Sequence, residues 1–210
     1  MAWLVDQYVE HFQGYEFSHL ASDLVTLVSK SYLTAFGKGQ VTKGKRMSLP
    51  GKKKGKETAY YFKNAAALAK LAKQFAEEAN DRVVAILFRD SDGTASADRG
   101  DWQKKLESMQ YGFASEHFSD GIGMLAKPKS EAWLLCALKP DNPYQHCAQL
   151  EEASGNDRSP NSLKDQLAEI LGEEPTATIL AEKVKSREID VLQIDMPSLN
   201  AFKQELKARI

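Results

Sequence analysis

Residues 83–93 read VVAILFRDSDG, six nearly unbroken apolar residues that run straight into two aspartates and a glycine. The run 83–88 is too short for a helix, rich in β-branched side chains and without a polar face. That is the pattern of a central strand in a parallel sheet covered by helices on both sides. The clearest helical pattern in the chain, YFKNAAALAKLAKQFAEEA over 61–79, leads into it through Asn80-Asp81. Alanine favours the helix intrinsically, and Leu68, Leu71, Ala72 and Phe75 form one apolar stripe. A helix feeding a strand through a brief turn is half of a βαβ unit, so the fold class expected is α/β.

Asp90 and Asp92 fall just past the carboxyl end of that strand, where open α/β sheets bind their ligands. Two residues apart in extended backbone, their side chains point to one side. Carboxylates so close repel each other in a low dielectric unless a cation lies between them. Mg²⁺ (or Mn²⁺) meets that need through carboxylate oxygens while keeping several waters. Gly93 lets the backbone turn sharply away. Asp-Ser-Asp-Gly is also ordinary turn composition, so the residue types leave metal binding and turn chemistry both open.

Working outward, residues 2–12 place Trp3, Leu4, Tyr8 and Phe12 at helical spacing, and Gly14 breaks the helix. Residues 18–30 (SHLASDLVTLVSK) predict a second helix with Ser18 as N-cap, and SYLTAF over 31–36 a short strand. Downstream, a helix is expected from Trp102 to about Tyr111, a second strand at IGMLAK (122–127) and a helix at SEAWLLCALK (130–139) capped by Ser130. A polar linker at 151–161 precedes helices at 162–171, 176–186 and 197–208, the last opening on Pro197. The organisation expected is one α/β domain over 1–150, with a helical C-terminal extension over 151–210 packed on it.

Glu131 and Lys127 lie near the carboxyl end of the second expected strand. Glu131 there is either a third metal ligand or general base, or a carboxylate serving the helix dipole. Lys127 either steadies a phosphate or is simply solvated. The net charge of −1 hides a strong asymmetry. Between residues 38 and 56 stand eight basic residues (Lys38, Lys43, Lys45, Arg46, Lys52, Lys53, Lys54 and Lys56) and no acidic one. With five glycines in residues 37–56 and no apolar period, this reads as an exposed loop able to follow a phosphate backbone, DNA or RNA.

The two cysteines, Cys136 and Cys147, lack CxxC spacing and read as reduced, packed thiols of a cytosolic protein. No stretch approaches the ~18 apolar residues of a membrane span, and MAWLVDQYVEHF does not read as a signal peptide, so a cytoplasmic location and no membrane partner are expected. The motifs of P-loop nucleotide hydrolysis, HExxH zinc chemistry and GxSxG serine catalysis are missing, and His11, His19, His117 and His146 show no ligand spacing.

VVAILFRDSDG resembles the acidic Asp-x-Asp strand end of Toprim domains, the metal-dependent module of topoisomerases, primases and overcoming-lysogenization-defect-type nucleases. KPKSEAWLL resembles the Glu-Ala-Trp helix start of a bacterial family of small Toprim-like proteins often encoded beside ATPases, and SPNSLKDQL with IDMPSLNAFKQEL is similar to that family's C-terminal part. The resemblance covers about residues 60–208. It implies a Toprim-like parallel sheet, Asp90 and Asp92 as Mg²⁺ ligands with Glu131 near them, and phosphodiester hydrolysis on DNA or RNA. It also implies an ATPase partner in a bacterial defence or mobile-element system. Toprim domains carry a further Glu-Gly at the end of their first strand, and no such pair lies near the start of this chain; Glu10 and Glu16 stand in other contexts. A degraded scaffold acting as a non-catalytic adaptor is therefore the competing expectation, with a sugar-nucleotide transferase using Asp-x-Asp as a third.

Overall fold

The structure is a computed structural model that describes residues 1–20, 23–39, 55–91 and 102–210. In chain order the elements are α1 (Ala2–Gln13), α2 (Lys30–Gly39), α3 (Gly55–Ala79), β1 (Ala85–Asp90), α4 (Trp102–Ser115), β2 (Gly121–Ala126), α5 (Ser130–Leu138), a 3₁₀ helix (Cys147–Glu152), α6 (Leu163–Leu171), α7 (Ala177–Lys185) and α8 (Pro197–Lys207). The fold is mixed α/β. β1 and β2 pair in a sheet that has two strands among the described residues. Ala85 N–H donates to Asp120 at 3.0 Å and Ser91 N–H to Ala126 at 2.9 Å, a constant offset along both strands, so the pair is parallel.

The chain divides into two compact units, and the division falls within both strands. One comprises residues 27–87 and 100–124 and is built on the packing of α3 against α4. The alanines of α3 let α4 approach closely. A Cβ added at Gly112 would lie 2.4 Å from the Phe62 carbonyl oxygen and 2.7 Å from the Ala65 Cβ. β2 lies as tightly on α4, for a Cβ at Gly121 would meet the Phe113 ring at 2.2 Å. Ala65, Ala69, Leu71, Met109, Phe113 and Ile122 form the core of this unit.

The other unit comprises residues 1–26, 88–99 and 125–210. Its core is Leu4, Trp133, Leu135, Leu167, Ile194 and Phe202. Gln7 of α1, itself buried, ties α1 to the segment after α7: its amide donates to the carbonyls of Val184 and Ile189 and accepts from Val191 N–H at 2.9 Å. α5 meets α8 through Trp133 Nε1, which donates to Ser198 Oγ at 2.9 Å, while Ser198 N–H donates to Glu151 at 2.7 Å. This buried chain satisfies an indole, a hydroxyl and one free N–H at the start of α8.

Several expectations are corrected. The strand expected at 83–88 is Ala85–Asp90, so Asp90 ends the strand instead of following it. β1 has one partner among the described residues and buries only Ala85 and Leu87, its other four residues being half-buried, whereas Ile122–Ala126 of β2 are all buried; β2, not β1, is the more enclosed strand. The helix expected over 18–30 is not formed at residues 18–20 and 23–29, where Leu20, Leu24 and Leu27 are exposed; Lys30 opens α2. SYLTAF is not a strand but lies in α2, where Ser29 Oγ accepts Tyr32 N–H at 3.1 Å and Leu33 is buried. Packing of α2 against α3 overrides the β propensity of Tyr and Thr. The loop expected at 38–56 is helical at its ends, with Lys38 in α2 and Lys56 in α3. The N-cap of α5 is Lys129, and Ser130 is its first helical residue. Cys136 and Cys147 are not free thiols: they form a disulfide, with Cα atoms 5.3 Å apart. The bends and turns after α5 bring the chain back through Tyr144, whose N–H donates to the Cys136 carbonyl at 2.7 Å, and that return sets the two cysteines side by side.

Candidate functional site

Asp90 is half-buried at the carboxyl end of β1, and its carboxylate accepts the backbone N–H of Ser130 at 2.8 Å. The N–H belongs to the first residue of α5, one of the donors that a helix leaves without an internal partner. Ser91 fixes the chain beyond: its N–H donates to Ala126 at 2.9 Å and its Oγ to the Pro128 carbonyl at 3.2 Å. The strand end is thereby held against the segment that leads into α5.

Burial pushes the Asp90 carboxyl above its ordinary range. The Ser130 N–H opposes that shift, the charge of Glu131 adds to it, and Lys129 offsets a smaller part. Glu131 sits in the first turn of α5, with Ser130 Oγ 3.4 Å from its carboxylate. Asp90 and Glu131 thus share one electrostatic neighbourhood at the amino end of a helix, a setting that favours anions. An oxygen-only pair of this kind suits a hard divalent cation, which one or two carboxylates plus waters can hold.

The cations around the pair are engaged. Lys127 Nζ lies 2.8 Å from Glu152 and Lys129 Nζ 2.5 Å from Asp157. Lys164, which feels the charge of Glu131, pairs with Glu174 at 2.7 Å; the pairing raises the lysine and lowers the glutamate. Of the residues singled out by sequence, the structure brings Asp90 and Glu131 together and places Lys127 on Glu152. Asp92 and Gly93 lie outside the described residues, as do Lys43, Lys45, Arg46, Lys52, Lys53 and Lys54. Among the described residues, no group of three or more His, Cys, Asp or Glu side chains is gathered where a metal ion could be held.

Two features escape sequence reasoning. Lys129 contributes to the field at Asp90, and its signal was its place directly before the Glu-Ala-Trp helix start. The second is the pairing of Asp6 with His19: the buried Asp6 carboxylate accepts His19 N–H at 3.1 Å and lies 2.6 Å from His19 Nδ1. The imidazole meets Trp3 edge-on at 4.8 Å. Carboxylate–imidazole pairs can orient a general base; here the pair ties the chain after α1 back onto that helix. No signal marks residues thirteen apart in different local structures.

No protein-family model matches the chain, and no curated protein or solved structure matches it.

Proposed function

We propose that the protein is a Mg²⁺- or Mn²⁺-dependent, Toprim-like nuclease subunit that acts on DNA or RNA. The observation that carries this reading is Asp90 at the end of β1, half-buried, beside the charge of Glu131 and against the first N–H of α5. In such a site Asp90 and Glu131 hold the cation, with Asp92 as the third carboxylate that the sequence supplies. A bound divalent ion provides an activated water and stabilises the leaving oxygen of a phosphodiester. The helix amino end adds a positive partial charge where phosphate oxygens would lie.

Charge supports the nucleic-acid part. Residues 27–87 and 100–124 contain 15 Lys and Arg against 8 Asp and Glu, whereas the remaining chain holds 13 against 21. One unit is thus basic by about seven charges and the other acidic by about eight. Polyanions are drawn to the first by counterion release.

A second reading, the non-catalytic adaptor, is favoured by one observation: capping of α5 already accounts for the position of Asp90 without chemistry. Cleavage of supercoiled DNA, linear DNA and RNA with Mg²⁺ and Mn²⁺ separates the two, with Asp90→Ala and Glu131→Gln beside the wild type. Metal-dependent cutting lost in both variants is expected; equal cutting by wild type and Asp90→Ala, or none by any of the three, would leave the adaptor. The ATPase partner and the role in defence against mobile elements rest on the sequence resemblance. Among the described residues no helix is long and apolar enough to cross a membrane. A cytoplasmic location stands in tension with the Cys136–Cys147 bridge, because the cytosolic glutathione pool keeps thiols reduced.

A further inference from the structure

We propose that Tyr60, with Lys30 and Lys63 around it, is a base-stacking position for single-stranded nucleic acid. This rests on the nucleic-acid reading above and narrows it to unpaired strands. Tyr60 lies in the early turns of α3 with 38% of its surface exposed. Its neighbour Tyr61 is buried and meets it edge-on, with ring centroids 5.7 Å apart and planes at 83°. The exposed ring therefore stands on a fixed one, and an aromatic already held in place gives up little freedom when a base covers it.

One cation lies over the ring. The Lys30 ammonium of α2 is 5.8 Å from the Tyr60 ring centroid. Lys63 is exposed one turn further along α3, at the spacing that puts side chains on a common flank. Lys30 also lines, with Ser31, Thr34 and Ala35, an open depression of about 690 Å³. A second exposed ring, Tyr32, stacks on Phe36 in the same helix at 6.4 Å and 17°. The connection between α2 and α3 belongs to the stretch 38–56 with its eight basic and no acidic residues.

Single exposed aromatics are ordinary on protein surfaces, but a ring set among cations, in the basic unit of an otherwise acidic chain, matches one chemistry well. Stacked bases with phosphates nearby satisfy ring and ammonium together. A duplex keeps its base faces covered and offers the ring nothing, whereas an unpaired strand offers every base. Protein partners with acidic tails would use the charge and leave the ring unused.

The test is fluorescence anisotropy with a labelled oligothymidylate, its uridylate counterpart and a duplex of mixed sequence, over a salt series. Tyr60→Ala should weaken single-strand binding by about ten-fold and change duplex binding by less than about two-fold, with an unchanged salt slope, because a stacking contact and not a phosphate contact is lost. Tyr60→Phe should bind like the wild type. Lys30→Ala should reduce the salt slope by about one. Wild type and Tyr60→Ala binding single strands equally, or Tyr60→Ala weakening the duplex as much, would overturn the stacking position while leaving the nucleic-acid reading intact. Absence of binding to all three probes by the wild type would overturn both.

Discussion

The backbone N–H of Ser130 donates to the carboxylate of Asp90 at 2.8 Å, so the last residue of β1 holds the first residue of α5. A strand end and a helix start forty residues apart in sequence are joined by one charge-assisted bond, with Glu131 in the same first turn. Structure and proposed chemistry draw on the same oxygen atoms here. Substitutions that keep the acceptor but remove the charge separate the two roles.

Asp90→Asn retains an acceptor for Ser130 N–H and should change stability by less than about 0.5 kcal/mol. Asp90→Ala leaves the helix end uncapped and should cost about 0.5–2 kcal/mol. Both should lose metal-dependent cleavage. Urea unfolding and cleavage assays on the two variants check this; an Asp90→Asn protein that still cuts would show that the charge is dispensable.

Lys203 gives a pH signature. Buried on α8 and donating to the Ile194 carbonyl at 2.7 Å, its ammonium is pushed down to about 8 from 10.5 by burial, against a smaller opposing pull from Asp195 and Asp190. Below about pH 8 both folded and unfolded chains carry the proton, and the fold bears the full penalty of the buried charge. Between about 8 and 10.5 the unfolded chain still binds a proton that the folded one has released, so this group raises stability as pH increases. The stability of wild type relative to Lys203→Met should therefore climb across that window. A constant difference at pH 7, 8.5 and 10 in urea unfolding would contradict it.

Ser198→Ala removes the acceptor of the buried Trp133 Nε1 and should destabilise the protein by about 1–3 kcal/mol. Glu151→Leu should act in the same direction, because Ser198 N–H then loses its partner. The two residues share one chain of hydrogen bonds, so their double variant should cost less than the sum. Additive effects would mean that the chain is not coupled.

Gly112→Ala and Gly14→Ala should differ in kind. At Gly112 a Cβ would strike the Phe62 carbonyl at 2.4 Å and force α3 and α4 apart, costing about 1–3 kcal/mol or more. At Gly14 nothing lies within 4 Å, and the penalty comes from its φ of +71°, on the order of 1 kcal/mol. Thermal unfolding of both variants reads the contrast, and equal losses would remove the claim of close α3–α4 contact.

The Cys136–Cys147 bridge closes a loop of sequence separation 11 and should contribute roughly 2–4 kcal/mol. Denatured, unreduced protein should show no reactive thiol, and Cys136→Ser should lower the unfolding midpoint in urea. Two thiols titrated without reductant would mean that the pair is not joined.

Helices with their own start and stop signals were legible from the chain alone. α1 ends at Gly14 in a left-handed conformation, α6 begins on a Ser162–Asp165 capping box and α8 opens on Pro197, all as local chemistry requires. Two segments were misread, one of them despite a start signal at Ser18. SYLTAF has strand-like residues yet lies in α2, which packs on α3 and buries Leu33, while SHLASDLVTLVSK has an apolar stripe of which Leu20 and Leu24 are exposed. At the site, the acidic character of 90–92 and the position of Glu131 were visible, but the engagement of Lys127 with Glu152 was not, since the two are 25 residues apart.

Sequence alone thus determined the end of α1 at Gly14, the start of α8 at Pro197, the acidic strand end and the basic stretch 38–56, because each follows from residues within a few positions of one another. Tertiary structure decided which strand is enclosed, that Cys136 faces Cys147, that Ser130 reaches Asp90 and that Asp6 reaches His19. Those outcomes depend on which surfaces are left to bury once the helices have formed, and no local pattern encodes a contact between side chains that only the packed chain brings together.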